Sequence, residues 1–175
     1  MTITEIGQLL ANIIESYMAL PLDYTTNPEG DSRVILKDEG FDAPKDDGIY
    51  VLVEYETGKT VGIKSQVDPS TQVETMSRSS FENFAIEVIS RGRDATERWQ
   101  EAMLALFSVS GQIAAEAANC SIFRGGDPMD LSEIEGTGAL RRYRIPIIVS
   151  NVQSKTAAVP YFDKFRDLTV KVEAQ

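Results

Sequence analysis

The sequence predicts an α+β domain: a mainly antiparallel sheet with an N-terminal helix and a central helix packed on it. Three patterns lead there. Ile6, Leu9, Leu10, Ile13, Ile14 and Tyr17 recur at helical spacing. Ile49, Val51, Val53 and Tyr55 alternate with period two, as do Phe84, Ile86 and Val88, which marks extended segments with one buried face. Trp99, Ala102, Met103 and Leu106 then return to the helical period directly behind the second of these segments. Residues 1–175 read as one domain of ordinary size, with neither internal repeats nor low-complexity segments.

Each element has its own signal. Thr2 and Glu5 have the spacing of a capping box, so a helix is predicted from Ile3 to Met18, ended by Leu20-Pro21. Its apolar stripe is wide and is expected to pack on the domain's own sheet, with a neighbouring subunit as the alternative. Segment 23–48 is acidic and rich in turns, with only Arg33 to Leu36 extended. Its carboxylates Asp42, Asp46 and Asp47 lack the alternating spacing of a calcium loop. Ile49 to Glu56 and Thr60 to Ser65, joined at Thr57-Gly58, predict a hairpin. Asp68-Pro69-Ser70 predicts a turn, and Gln72 to Ser77 an exposed strand or an arm.

The strand from Phe81 to Val88 is expected to be half-buried, with Glu87 on its open face. Arg91-Gly92-Arg93 breaks it. Asp94 is placed as the N-cap of the central helix, with Glu97 completing the box. Trp99, the one tryptophan, is expected to be buried between that helix and the sheet. Ile113, Ala114, Ala117 and Ala118 predict a second helical piece. Residues 121–138, with Gly125, Gly126, Gly136 and Gly138, are expected to form a mobile loop; a phosphate-binding loop would need a Gly-Lys-Ser/Thr ending. Leu140 to Val152 predicts a long strand, with Tyr143, Ile145, Ile147 and Val149 on one face and Arg142, Arg144 and Ile148 on the other. Pro146 has no N–H to donate, which predicts a sheet edge or a bulge there. Ser154-Lys155-Thr156 predicts a turn, and Leu168, Val170 and Val172 a last strand.

Composition narrows the chemistry. The chain has one cysteine, Cys120, and no histidine, so it can form no internal disulfide, no Cys–His nucleophile and no histidine-containing metal site by itself. The commonest general base is missing too. The carboxylate pairs Asp127/Asp130 and Glu133/Glu135 fall in the predicted solvent-rich loop, where nothing would raise a carboxylate toward the range of a general acid. Cys120 follows an alanine-rich stretch and reads as a buried apolar residue. The sequence therefore predicts a protein that is not an enzyme, with no catalytic residues, no metal and no cofactor. No apolar run approaches the ~20 residues that span a bilayer, and no basic region precedes an apolar stretch at the N-terminus, so neither a membrane span nor a secretory signal is expected.

The net charge of −10 disfavours binding to nucleic acid by phosphate neutralisation. The charge is uneven: eight acidic against three basic residues from Asp23 to Asp47, and seven basic against three acidic from Ala139 to Gln175. Such a split suits a subunit that meets its own copies head to tail. The candidate interface is Arg141, Arg142 and Arg144, expected to face a partner's carboxylates, with Tyr161 and Phe162 supplying apolar contact.

Taken together, an apolar N-terminal helix, Gly48-Ile49-Tyr50-Val51 opening a strand, Phe84-Ala85-Ile86-Glu87-Val88 leading through Gly92 and Asp94 to the Trp99 helix, and Arg141-Arg142-Tyr143-Arg144-Ile145 leading to Val159-Pro160-Tyr161-Phe162-Asp163 resemble the neck or tail terminator proteins of tailed bacteriophages. The resemblance covers roughly Thr4 to Lys171. It implies a structural virion protein that assembles as a ring, typically a hexamer, at the head–tail junction after assembly in the host cytoplasm. The implied partners are its own copies, the tail tube or sheath protein and the head connector, with genomic DNA passing through the ring without specific binding. Another head-completion or tail-tube subunit, and a small acidic enzyme or ligand-binding domain, are the alternatives.

Overall fold

The computed structural model describes residues 1–22, 30–37, 47–68, 70–71, 73–135 and 138–158. Three helices, α1 (Ile3–Met18), α2 (Asp94–Phe107) and α3 (Val109–Ala117), lie on a mostly antiparallel sheet. The strands are β1 (Val34–Leu36), β2 (Tyr50–Asp68), β3 (Val73–Ser90), β4 (Cys120–Arg124), β5 (Met129–Asp130), β6 (Glu133–Glu135) and β7 (Gly138–Ala158). Their spatial order is β1-β2-β3-β7-β4, and β5 and β6 pair with β7 further along. Among the described strands, only β1 runs parallel to its neighbour. The fold is α+β.

The helix α1 keeps its predicted bounds because both reciprocal bonds of the capping box form: the Glu5 N–H donates to Thr2 Oγ1 at 3.2 Å, and the Thr2 N–H to Glu5 Oε2 at 2.7 Å. Ala19 leaves the helix in the left-handed region, at φ 46°. Ile6, Leu10, Ile13 and Ile14 are buried against the chain's own sheet and helices. Arg98 on α2 donates to the last-turn carbonyl of Met18 at 3.1 Å and also holds Glu101, which fastens α2 to the end of α1. The helix-facing side of the sheet supplies the rest of the core: Val51, Val53, Phe84, Ile86, Val88, Ile145, Ile147 and Val149.

Several expectations change. The hairpin with a turn at Thr57-Gly58 does not form. β2 runs unbroken from Tyr50 to Asp68, and the chain reverses between Asp68 and Val73. Gly58 is there for a close approach, since a Cβ at that position would sit 1.8 Å from the Glu82 carboxylate. The central helix begins one residue earlier than expected: Arg93 is the N-cap, without a side-chain bond, and Asp94 lies in the first turn, where its charge still suits the helix dipole. Trp99 is half-buried, not enclosed, and stacks on Tyr143 with ring centroids 5.7 Å apart. Residues 121–138 carry three strands, β4 to β6, because β7 offers them a free edge. Ser154-Lys155-Thr156 continues β7 without turning.

Pro146 lies on an interior strand, between β3 and β4. Its carbonyl accepts from the Gly125 N–H at 2.9 Å, so its missing N–H faces the same side, where β4 has ended and β5 has not begun. The ladder therefore loses nothing. The predicted strand at Leu168 to Val172, and residues 23–29 and 38–46 of the acidic segment, lie outside the described residues.

Candidate assembly surface

The arginines of the predicted interface lie on β7. Arg142 and Arg144 do not face solvent in wait of a partner; their carboxylates come from this chain. In an antiparallel sheet, side chains two apart share a face and cross-strand partners sit side by side. Glu87 pairs in register with Arg144 on one side and Leu52 on the other. Glu54 and Glu56 follow on the same face of β2. Arg142 donates to Glu87 Oε2 from Nε at 3.1 Å and from Nη2 at 2.6 Å. Arg144 reaches Glu87 Oε1, Glu54 at 2.9 Å and Glu56 at 2.5 Å. Lys37 closes the group on Glu54 at 2.7 Å.

Glu87 is 0% exposed, the opposite of its expected place on an open face. A buried carboxylate persists only when paired and hydrogen-bonded, and two guanidinium groups meet that need. Burial works against the charge on Glu54, but hydrogen bonds and attraction from Lys37 and Arg144 outweigh it and hold its pKa below the ordinary carboxylate value. Desolvation likewise opposes the Arg144 charge and is overcome by the hydrogen bond to Glu56 and the charges of Glu87, Glu54 and Glu56, so its pKa is raised. The cluster is thus a cross-strand clamp on the face away from the helices. A signal for it exists in the sequence: Glu54 and Glu56, and Arg142 and Arg144, recur with period two, and Glu87 interrupts the otherwise apolar run from Phe84 to Ile89. Arg141 is exposed. Tyr161 and Phe162 lie outside the described residues.

The surface left for assembly lies elsewhere. Every residue of β2 from Glu56 to Asp68 is exposed. Successive side chains of a strand point to opposite faces, so an unbroken exposed run means that neither face is covered. Together with residues 73–79 of β3 and 152–157 of β7, this run forms a three-stranded arm. Thirteen residues at strand rise extend ~40 Å. Val61, Ile63, Met76 and Val152 are exposed on it. Beyond β1, no described strand pairs with the outer edge of β2; the strand is bulged by register shifts against β3 at Tyr55/Thr57 and Thr60/Gly62 and carries Lys59 and Lys64. Bulges and lysines of this kind hinder edge-to-edge pairing, which leaves the faces of the arm as its contact surfaces.

Where the arm meets the body, an open groove of about 720 Å³ lies between the start of α1 and the arm, with Ile63, Met76, Arg78, Gln153 and Lys155 on the arm side. The Met1 carbonyl, which accepts from Asn151 Nδ2 at 3.1 Å and also from Gln153 Nε2, pins the chain start at its rim. A second uncovered apolar patch occupies the corner between α2 and α3: Leu104, Phe107, Val109 and Ile113, with Val109 78% exposed. Groups of three or more metal-ligating side chains are absent among the described residues. Cys120 is buried beside Asn151, and burial pushes its thiol pKa up, away from the thiolate a nucleophile requires. No described helix is long and apolar enough to cross a membrane. Comparison with protein-family models and with curated proteins finds no match for the chain.

Proposed function

We propose that the chain is a ring-forming structural subunit of a phage head–tail junction, a tail terminator that caps the tail tube and joins it to the head connector. The arm is the observation that carries the assembly part of this reading. A sheet extension exposed on both faces, with apolar side chains along it, gains stability when another molecule covers it. Repeated copies supply that cover through head-to-tail contacts, which close into a ring when the rotation between subunits permits. The position in a virion rests on the resemblance in segment order from the N-terminal helix to the Arg141–Ile145 strand, and the α+β architecture agrees with it. The family contributes no catalytic residue, in keeping with a chain that lacks histidine. Arg142 and Arg144 are committed to Glu87, Glu54 and Glu56, which supports a subunit contact on the arm and on the apolar patches of the body instead.

Electron microscopy tests the proposal. Rings of uniform diameter in the purified protein, and tails that fail to join heads in particles lacking it, are the expected outcome. A chain that stays monomeric both alone and mixed with tail tubes would refute it. A position along the tube, or inside the head vertex, would instead assign it to a tail-tube or head-completion subunit, for which the same arm would serve.

A further inference from the structure

The groove and the α2–α3 corner are two uncovered apolar surfaces on one chain, and they differ in charge. The outer arm, in residues 57–68, 73–79 and 152–157, carries four basic residues (Lys59, Lys64, Arg78, Lys155) against two acidic ones (Asp68, Glu74), a net +2. The two helices of the corner, α2 and α3, carry four acidic residues (Asp94, Glu97, Glu101, Glu116) against one basic (Arg98), a net −3. Arg78 and Lys155 stand at the groove, which Glu5 of α1 also lines, beside Ile63, which is 69% exposed, and Met76. Glu101 and Glu116 lie on the same helices as Leu104 and Ile113.

Within one chain these surfaces are held apart. Asn12, Ile13 and Ser16 of α1 pack against the Ser110–Gly111 start of α3, whereas the groove is at the opposite end of α1, around Met1, Thr2 and Glu5. We propose that the groove at the arm root of one copy receives the α2–α3 corner of the next, with Ile63 and Met76 against Leu104, Phe107, Val109 and Ile113. This deepens the ring reading and rests on it: it assigns the two unlike patches that a head-to-tail contact needs. Apolar burial supplies affinity, and the opposed charges steer and set register. The bulged β2 edge favours this face-on contact over strand addition.

The experiment uses the full chain. Ile63→Asp and Ile113→Asp are made separately. Both positions are exposed, so folding is unaffected, and circular dichroism checks this. Sedimentation should show rings for the parent, and for each variant an assembly threshold raised about 30-fold or more. Separately purified Ile63→Cys and Ile113→Cys proteins are then mixed and oxidised. A disulfide-linked dimer in the mixture, absent from either protein alone, is expected; the native Cys120 is buried and does not compete. If the parent forms rings but both Asp variants assemble as it does and the mixture does not cross-link, this inference fails and the ring reading stands. If the parent is monomeric at its highest soluble concentration, both fail. An arm variant that lowers assembly while the helix variant does not would place the arm on another part of the neighbour and overturn the pairing.

Discussion

Replacing Arg144 by Met tests whether the charged residues of β7 serve the fold or a partner. Met keeps the apolar stem and removes the guanidinium. Glu87 then loses one of its two arginines while 0% exposed, and Arg142 alone is left to neutralise it. Removing one member of a buried pair costs ~3–5 kcal/mol. Because Arg142 keeps two contacts to Glu87, the lower end applies, about 3 kcal/mol. The pair with the rim residue Glu56 adds ~0–1 kcal/mol. A loss of about 3–4 kcal/mol is therefore expected. Urea unfolding at pH 7, followed by circular dichroism and Trp99 emission, measures it. Adding Glu87→Gln neutralises the stranded carboxylate, so the double variant should be more stable than the sum of the two single losses by at least ~1 kcal/mol. A cost below ~1 kcal/mol for Arg144→Met, or strict additivity, would refute the clamp. Normal folding combined with lost assembly would return Arg144 to the subunit interface.

Gly111→Ala should destabilise the fold by ~1–3 kcal/mol in the same urea assay, because a Cβ there would come within 2.4 Å of the Ala105 carbonyl and 3.2 Å of Ile13. Trp99→Ala should cost about 2 kcal/mol, less than for a fully enclosed tryptophan, since the ring is half-buried and its stacking on Tyr143 is lost; the parent's emission maximum should lie between those of buried and free indole. Acid should weaken the protein through Glu54 and Glu101, whose pKa values are lowered from the ordinary 4.5. For a lowered carboxylate, the stability gained is complete above the unfolded-state pKa and is lost as pH falls through that value toward the folded one. The urea midpoint should hold from pH 7 to about 5 and drop below about 4.5, more steeply in the parent than in Arg144→Met.

The local patterns of the sequence determine the elements whose partners lie within a few residues. The Thr2–Glu5 box and the 3.6-residue stripe define α1 because both are satisfied inside one helix. Period-two alternation finds β2, β3 and β7 because successive side chains of a strand face opposite sides whatever the strand pairs with, and the missing N–H of Pro146 marks a real gap in the ladder. What tertiary structure alone decides is what each strand meets. Gly58 reads as a turn, yet it makes room for Glu82, twenty-four residues away in the chain. Arg142 and Arg144 read as a basic surface patch, and register places them beside Glu87 and Glu54, fifty-five and ninety residues away. Charge in a sequence carries its sign but not its neighbour, and in a sheet the neighbour is set by hydrogen-bond register between distant segments. For the same reason the arm is visible in the sequence only as polar, alternating residues; that both its faces stay uncovered follows from where the helices end.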